Sequence, residues 1–145
     1  MKLWVYSEML IRSVEPHDEP HIIISIYTPG GPRARFKTHK TATHAVLFVE
    51  FPDMNEHYWE IPVEQRIYRD DQIFNATHAN EILDFVDDHR DVESILCQCE
   101  GGLSRSVAVK AALDTLLNED MTPYDGTNAL VYNTLLETAA ARAKR

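Results

Sequence analysis

The sequence predicts an α/β domain: a mostly parallel central sheet of four or five strands with helices on both sides. Three observations carry this. His21-Ile22-Ile23-Ile24-Ser25-Ile26-Tyr27 is nearly continuous and β-branched, the pattern of a strand buried on both faces of a parallel sheet. Thr43 to Phe51, with Val46-Leu47-Phe48-Val49 at its heart, is a second strong strand. Between it and the apolar Ile95-Leu96-Cys97 lies a segment whose Ile82, Leu83, Phe85 and Val86 fall on one helical face. That strand–helix–strand order calls for a right-handed crossover.

In chain order, Leu3 to Tyr6 reads as an edge or first strand and Glu8 to Val14 as a brief helix. Glu15-Pro16-His17-Asp18-Glu19-Pro20 is a proline-punctuated loop, and Pro29-Gly30-Gly31-Pro32 ends the strand at His21–Tyr27. Arg33, Arg35, Lys37 and Lys40 form the one basic cluster. A solvated loop and a rim that attracts an anionic substrate are both open for it. Glu56 to Gln72, rich in large residues such as Tyr58, Trp59 and Tyr68, has the look of an insertion. Asn75 or Thr77 caps the next helix, which closes in the charged turn Asp87 to Asp91. After the strand at Ile95 a helix is expected from Ser104 to Asn118, and another from Thr122-Pro123-Tyr124-Asp125. Leu130, Val131, Leu135 and Leu136 form the buried stripe of that last helix, and Arg142, Lys144 and Arg145 suit its C-terminal end.

The chain has 145 residues, 44% hydrophobic and 26% charged. One domain over 1–145 follows, large enough to bury about two-thirds of its unfolded surface and too apolar for disorder. A formal net charge of −9 argues against a general nucleic-acid coat, though not against a local anion site. Cys97 and Cys99 stand too close together to make a disulfide framework, so a reducing, cytoplasmic setting is expected. Met1 to Glu8 lacks the long apolar core of a signal peptide, and no apolar run approaches the roughly 18–20 residues of a membrane span. The histidines show no metal-ligand spacing, and no Walker-type GxxxxGK, GxGxxG or internal repeat is present. Neither a metal nor a cofactor is expected.

The chemistry concentrates between Glu93 and Ser106, where an apolar run passes through a glycine turn into helical composition. A strand, a glycine loop and a helix N-terminus make an anion-binding device, because backbone N–H groups converge there and the helix dipole favours negative charge. Cys99 stands at the head of the loop and Arg105 where the helix begins. The N–H groups that attract phosphate also favour the thiolate, the nucleophilic form of cysteine. Arg105 grips two phosphate oxygens through its planar fork, and Ser106 is a hydroxyl donor for the sulfur. The chemistry implied is nucleophilic displacement at phosphorus through a phosphocysteine that water then hydrolyses. Cys97, by contrast, reads as an ordinary buried core thiol.

Cys99-Glu100-Gly101-Gly102-Leu103-Ser104-Arg105-Ser106 resembles the signature loop of cysteine-dependent protein tyrosine phosphatases, most of all their compact dual-specificity branch. The family pattern is Cys, five residues, Arg, then Ser or Thr, with a glycine three after the cysteine; Gly102 fills that place. By average residue usage a given Cys meets these requirements by chance on the order of once in two thousand. One position departs: the family usually has His before the cysteine, where it helps orient the loop, and here the residue is Gln98.

The resemblance implies a phosphatase-like fold and a site at the C-terminal end of the strand before Cys99. Cys99 would attack phosphorus. Arg105 and the N–H groups of Glu100, Gly101, Gly102, Leu103, Ser104 and Arg105 would hold the equatorial oxygens. An aspartate past a sheet strand would protonate the leaving oxygen and later activate water. Asp53 is the favoured match, because it follows the strand that ends near Phe51, the side on which open α/β sheets place ligands. Asp70 and Asp71 are the alternatives. The expected substrate is a phosphotyrosine, or a phosphoserine or phosphothreonine, on a protein or peptide. Glu100 within the loop disfavours substrates carrying additional phosphates. Two other readings stand beside this one: a phosphate-binding module without turnover, suggested by Gln98, and a rhodanese-like sulfur-transfer enzyme, which Arg105-Ser106 at the phosphatase spacing disfavours.

Overall fold

In the computed structural model, which describes residues 1–144, four strands form one sheet in the order β1-β4-β2-β3, all parallel. The strands are β1 (Lys2–Ser7), β2 (His21–Tyr27), β3 (Thr43–Glu50) and β4 (Ser94–Cys99). The helices are α1 (Glu8–Ser13), α2 (Ala76–Asp87), α3 (Arg105–Asn118) and α4 (Ala129–Ala143). The chain is therefore α/β with a four-stranded parallel sheet flanked by helices.

The two faces of the sheet are covered unequally. Side chains alternate along a strand, so Ile22, Ile24 and Ile26 of β2 share a face with Ile95, Cys97 and Cys99 of β4. That face takes α2, α3 and α4 through Ile82, Leu83, Val86, Val109, Leu113, Val131 and Leu135, all buried. The other face buries Ile23 and Leu96 under Ile11 of α1, with Tyr6, Phe36 and Val46 alongside. A six-residue helix and the irregular segment 28–42 are enough there because this second core is small. The two central strands, β2 and β4, are buried almost throughout, as their continuous apolar runs require.

α2 is capped by Asn75, whose Oδ1 accepts from the Thr77 N–H at 2.8 Å, while the Asn75 N–H donates to His78 Nδ1 at 3.1 Å. α4 begins later than the sequence predicts. Residues 121–128 are not helical, and the cap is Asn128, whose Oδ1 accepts from the Val131 N–H. The reason lies in Tyr124, which stacks on Tyr132 with ring centroids 4.6 Å apart and accepts the Asn128 N–H on its hydroxyl. A side chain on Gly126 would run into that hydroxyl. Arg142 on α4 pairs with Asp84 (2.7 Å) and Asp87 (2.9 Å) of α2; Arg145 lies outside the described residues.

His21 gives the fold a pH dependence. It is buried at the start of β2, with Nδ1 2.9 Å from the Glu19 carbonyl and Nε2 2.8 Å from Thr43 Oγ1. Burial pushes its imidazole below the ordinary 6.5, outweighing the upward pull of the Glu19 carbonyl, and the nearby His17, His39 and His44 add to the lowering. A depressed histidine favours the neutral form in the folded state. Above about pH 6.5 the folded and unfolded chains then bind the same number of protons here, and below it the unfolded chain takes up a proton first. Stability is thus full at neutral pH and falls as the pH drops through that window. The urea midpoint is expected to be lower at pH 5.5 than at pH 7.5, with a smaller drop in His21→Gln; an equal drop in the two proteins would refute the assignment.

Candidate functional site

Cys99 is the last residue of β4, and the loop Glu100–Ser104 carries the chain from it into α3. Register sets the surroundings: Ser7 of β1 pairs with Cys99, and Ser25 of β2 pairs with Gln98. The sulfur is buried, 2% exposed. Ser106 Oγ lies 3.1 Å from it, and the Gly102 N–H donates to it at 3.3 Å. Two polar contacts thus reach the sulfur, one from the loop and one from the first turn of α3.

The loop holds its shape against β1 and α1. Gly102 has φ +68°, and a Cβ there would sit 2.7 Å from the Ser7 nitrogen, so both the conformation and the space require glycine. The Glu100 carbonyl accepts the Glu8 N–H at 3.0 Å, while Ser7 Oγ caps α1 through the Leu10 N–H. One junction serves the helix and the loop together.

Arg105 is 3% exposed. Its Nη1 donates to the Phe51 carbonyl at 2.8 Å and to Thr28 Oγ1 at 3.1 Å. Its Nε is buried and has no hydrogen-bond partner, and no carboxylate pairs with the guanidinium among the described residues. A buried cation held only by neutral acceptors, with a free N–H, lacks a counter-ion.

Of the three candidate aspartates, Asp53 meets the loop: Ser104 Oγ donates to its Oδ1 at 2.7 Å. It is exposed, three residues past the end of β3. Asp70 lies 3.8 Å from Arg66, and Asp71 is 3.1 Å from Arg69, both pairs within the 56–72 segment. That segment folds on itself through short 3-10 turns. Tyr58 is buried, its hydroxyl donating to the Tyr68 carbonyl, and Arg66 stands over the Tyr58 and Trp59 rings. Within the basic cluster, Lys37 pairs with Glu15 at 2.7 Å, and Arg33 stands over the Phe48 and Tyr27 rings.

Cys97 and Gln98 complete the strand. Burial pushes the Cys97 thiol up to about 12, so it stays a neutral core group. Gln98 is on the opposite face from the cysteines and accepts a short hydrogen bond, 2.5 Å, from Ser25 Oγ. A hollow of about 120 Å³ opens beside the loop, lined by Tyr27, Thr28, Pro32, Gln98, Glu8 and Glu100 among others. A larger hollow of about 400 Å³ lies away from Cys99, between α2, α3 and α4.

Thr28, Phe51 and Ser7 are the contributors that sequence reasoning missed. Each is at or just beyond the C-terminal end of a strand, and that position was the one available signal. Among the described residues no helix is long and apolar enough to cross a membrane, and no group of three or more His, Cys, Asp or Glu is placed to hold a metal ion. No family model, curated protein or solved structure matches the chain.

Proposed function

We propose that the chain is a phosphate monoester hydrolase of the cysteine-dependent tyrosine phosphatase type, acting on a phosphorylated protein or peptide. The observation that carries this reading is the buried Arg105 without a counter-ion, in the same loop-and-helix unit as a sulfur contacted by an N–H and a hydroxyl. Such a place asks for an anion with several oxygens, presented to a nucleophile.

In the first step the Cys99 thiolate attacks phosphorus. The P–S bond forms, the bond to the leaving oxygen breaks, and Asp53 as carboxylic acid gives that oxygen its proton. In the second step a water oxygen attacks phosphorus, Asp53 as carboxylate takes the water proton, and the P–S bond breaks to return the thiolate and inorganic phosphate. Ser106 assists the sulfur as leaving group. Arg105 and the loop N–H groups hold the equatorial oxygens throughout, so the protein's part is positioning and charge complementarity.

Binding without turnover is the second reading, favoured by Gln98, whose carbonyl is taken up by Ser25 on the far side of the strand. Hydrolysis of para-nitrophenyl phosphate without added metal, at mildly acidic and neutral pH, decides between the two. The expected result is turnover, with Asp53→Ala reduced about 10²- to 10⁴-fold on phenyl phosphate and less on the nitrophenyl ester, whose leaving group needs the proton less. An equal effect on both esters would remove Asp53 from the general-acid role. Phosphate binding with no turnover by the wild type would overturn the enzyme reading.

A further inference from the structure

Thr28 is the residue that aims the anion-binding edge of Arg105; we infer that it is a positioning residue of this site, an inference that rests on the reading of Arg105 as the phosphate ligand. A guanidinium is a rigid plane, so fixing the directions of both N–H bonds on one terminal nitrogen fixes the direction of the opposite edge. Nη1 is held in this way by two acceptors, the Phe51 carbonyl at 2.8 Å and Thr28 Oγ1 at 3.1 Å. They come from the residues immediately after β3 and β2, and the strands themselves tie them together, since the Phe51 N–H donates to the Tyr27 carbonyl at 3.1 Å. The Thr28 carbonyl is pinned in turn by the Gly31 N–H at 2.8 Å. Its β-branched side chain has few rotamers to choose from.

What remains unused is the opposite edge: Nε is buried and without a partner, and among the described residues Nη2 makes no hydrogen bond. Both acceptors on Nη1 are neutral. A carboxylate in the place of Thr28 would orient the guanidinium equally well, but it would also spend the charge that an incoming anion has to meet. A hydroxyl orients without neutralising. The Phe51 carbonyl alone leaves the plane free to swing about that one bond; the hydroxyl is the second point that stops it.

The test uses the full chain with Thr28→Val, which keeps the shape and loses the hydroxyl, and Thr28→Ser, which keeps the hydroxyl. The readouts are the inhibition constant of orthovanadate, kcat and KM for para-nitrophenyl phosphate, and the urea midpoint as a control on folding. Thr28→Val is expected to weaken vanadate and lower kcat/KM by about tenfold or more, the scale of one hydrogen bond to a charged group. Thr28→Ser is expected to return both to within about threefold of wild type. Should Thr28→Val fail to fold, Thr28→Ala takes its place. Thr28→Val matching wild type, or Thr28→Ser as impaired as Thr28→Val, overturns the role of the hydroxyl while leaving the phosphatase reading intact. A wild type that neither turns over nor binds vanadate overturns both.

Discussion

Cys99→Ser is expected to lower turnover of para-nitrophenyl phosphate by at least about a thousandfold, some 4 kcal/mol of transition-state stabilisation, while the protein stays folded and still binds inorganic phosphate. The reason is the poverty of bases around the sulfur. Ser106 Oγ and the Gly102 N–H contact it, and neither can take a proton from a neutral hydroxyl. Thiols ionise far more readily than alcohols, so a cysteine nucleophile depends less on such a base. A serine in the same place would remain protonated. The change is a near-isosteric one at a residue 2% exposed, so the fold should tolerate it. Turnover within tenfold of wild type would mean that the nucleophile is another group.

Arg105→Lys is the second large effect. Charge is conserved, so a purely electrostatic role predicts a mild phenotype. The geometry predicts a severe one, with kcat/KM lowered about 10²- to 10³-fold, comparable to removing an oxyanion donor, and weakened affinity for inorganic phosphate. A lysine ammonium can satisfy the Phe51 carbonyl or reach into the loop. It cannot do what the fork does, which is to be tied on one nitrogen and offer a second N–H elsewhere. Kinetics of the variant beside a phosphate titration measure both effects. A lysine variant within threefold of wild type in both would show that charge alone suffices.

The sheet was legible because its signals are local. His21–Tyr27 and Thr43–Glu50 announce themselves by unbroken β-branched and apolar runs, and Asn75 by its place before an amphipathic helix. The loop was legible for a different reason: Cys99, Gly102, Arg105 and Ser106 lie within eight consecutive residues, so their spacing is visible before any folding. Asp53 was reachable by reasoning about strand ends, and the Ser104 hydrogen bond puts it beside the loop. The supports of Arg105 were readable only as positions at strand ends, not as partners of the guanidinium. One is a main-chain carbonyl at Phe51, which any residue would supply, and the other is a threonine hydroxyl more than seventy residues away in sequence. The late start of α4 was hidden for a similar reason. Thr122-Pro123-Tyr124-Asp125 has the composition of a helix start, and the stacking of Tyr124 on Tyr132 overrides it.

The bracing of the loop by Ser7 and Glu8 carries a kinetic consequence. β1 pairs with β4, so the first strand of the chain must find the last one before Gly102 has its wall and Glu100 its hydrogen bond. Among the strand pairings this joins the residues most distant in sequence, and such contacts are costly in loop-closure entropy. A chain in which β2, β3 and β4 have already met can still lack the finished loop. On this topology the arrangement around Cys99 and Arg105 reports on the longest-range strand pairing, because the loop gains its wall and its Glu100 hydrogen bond only when β1 is in place.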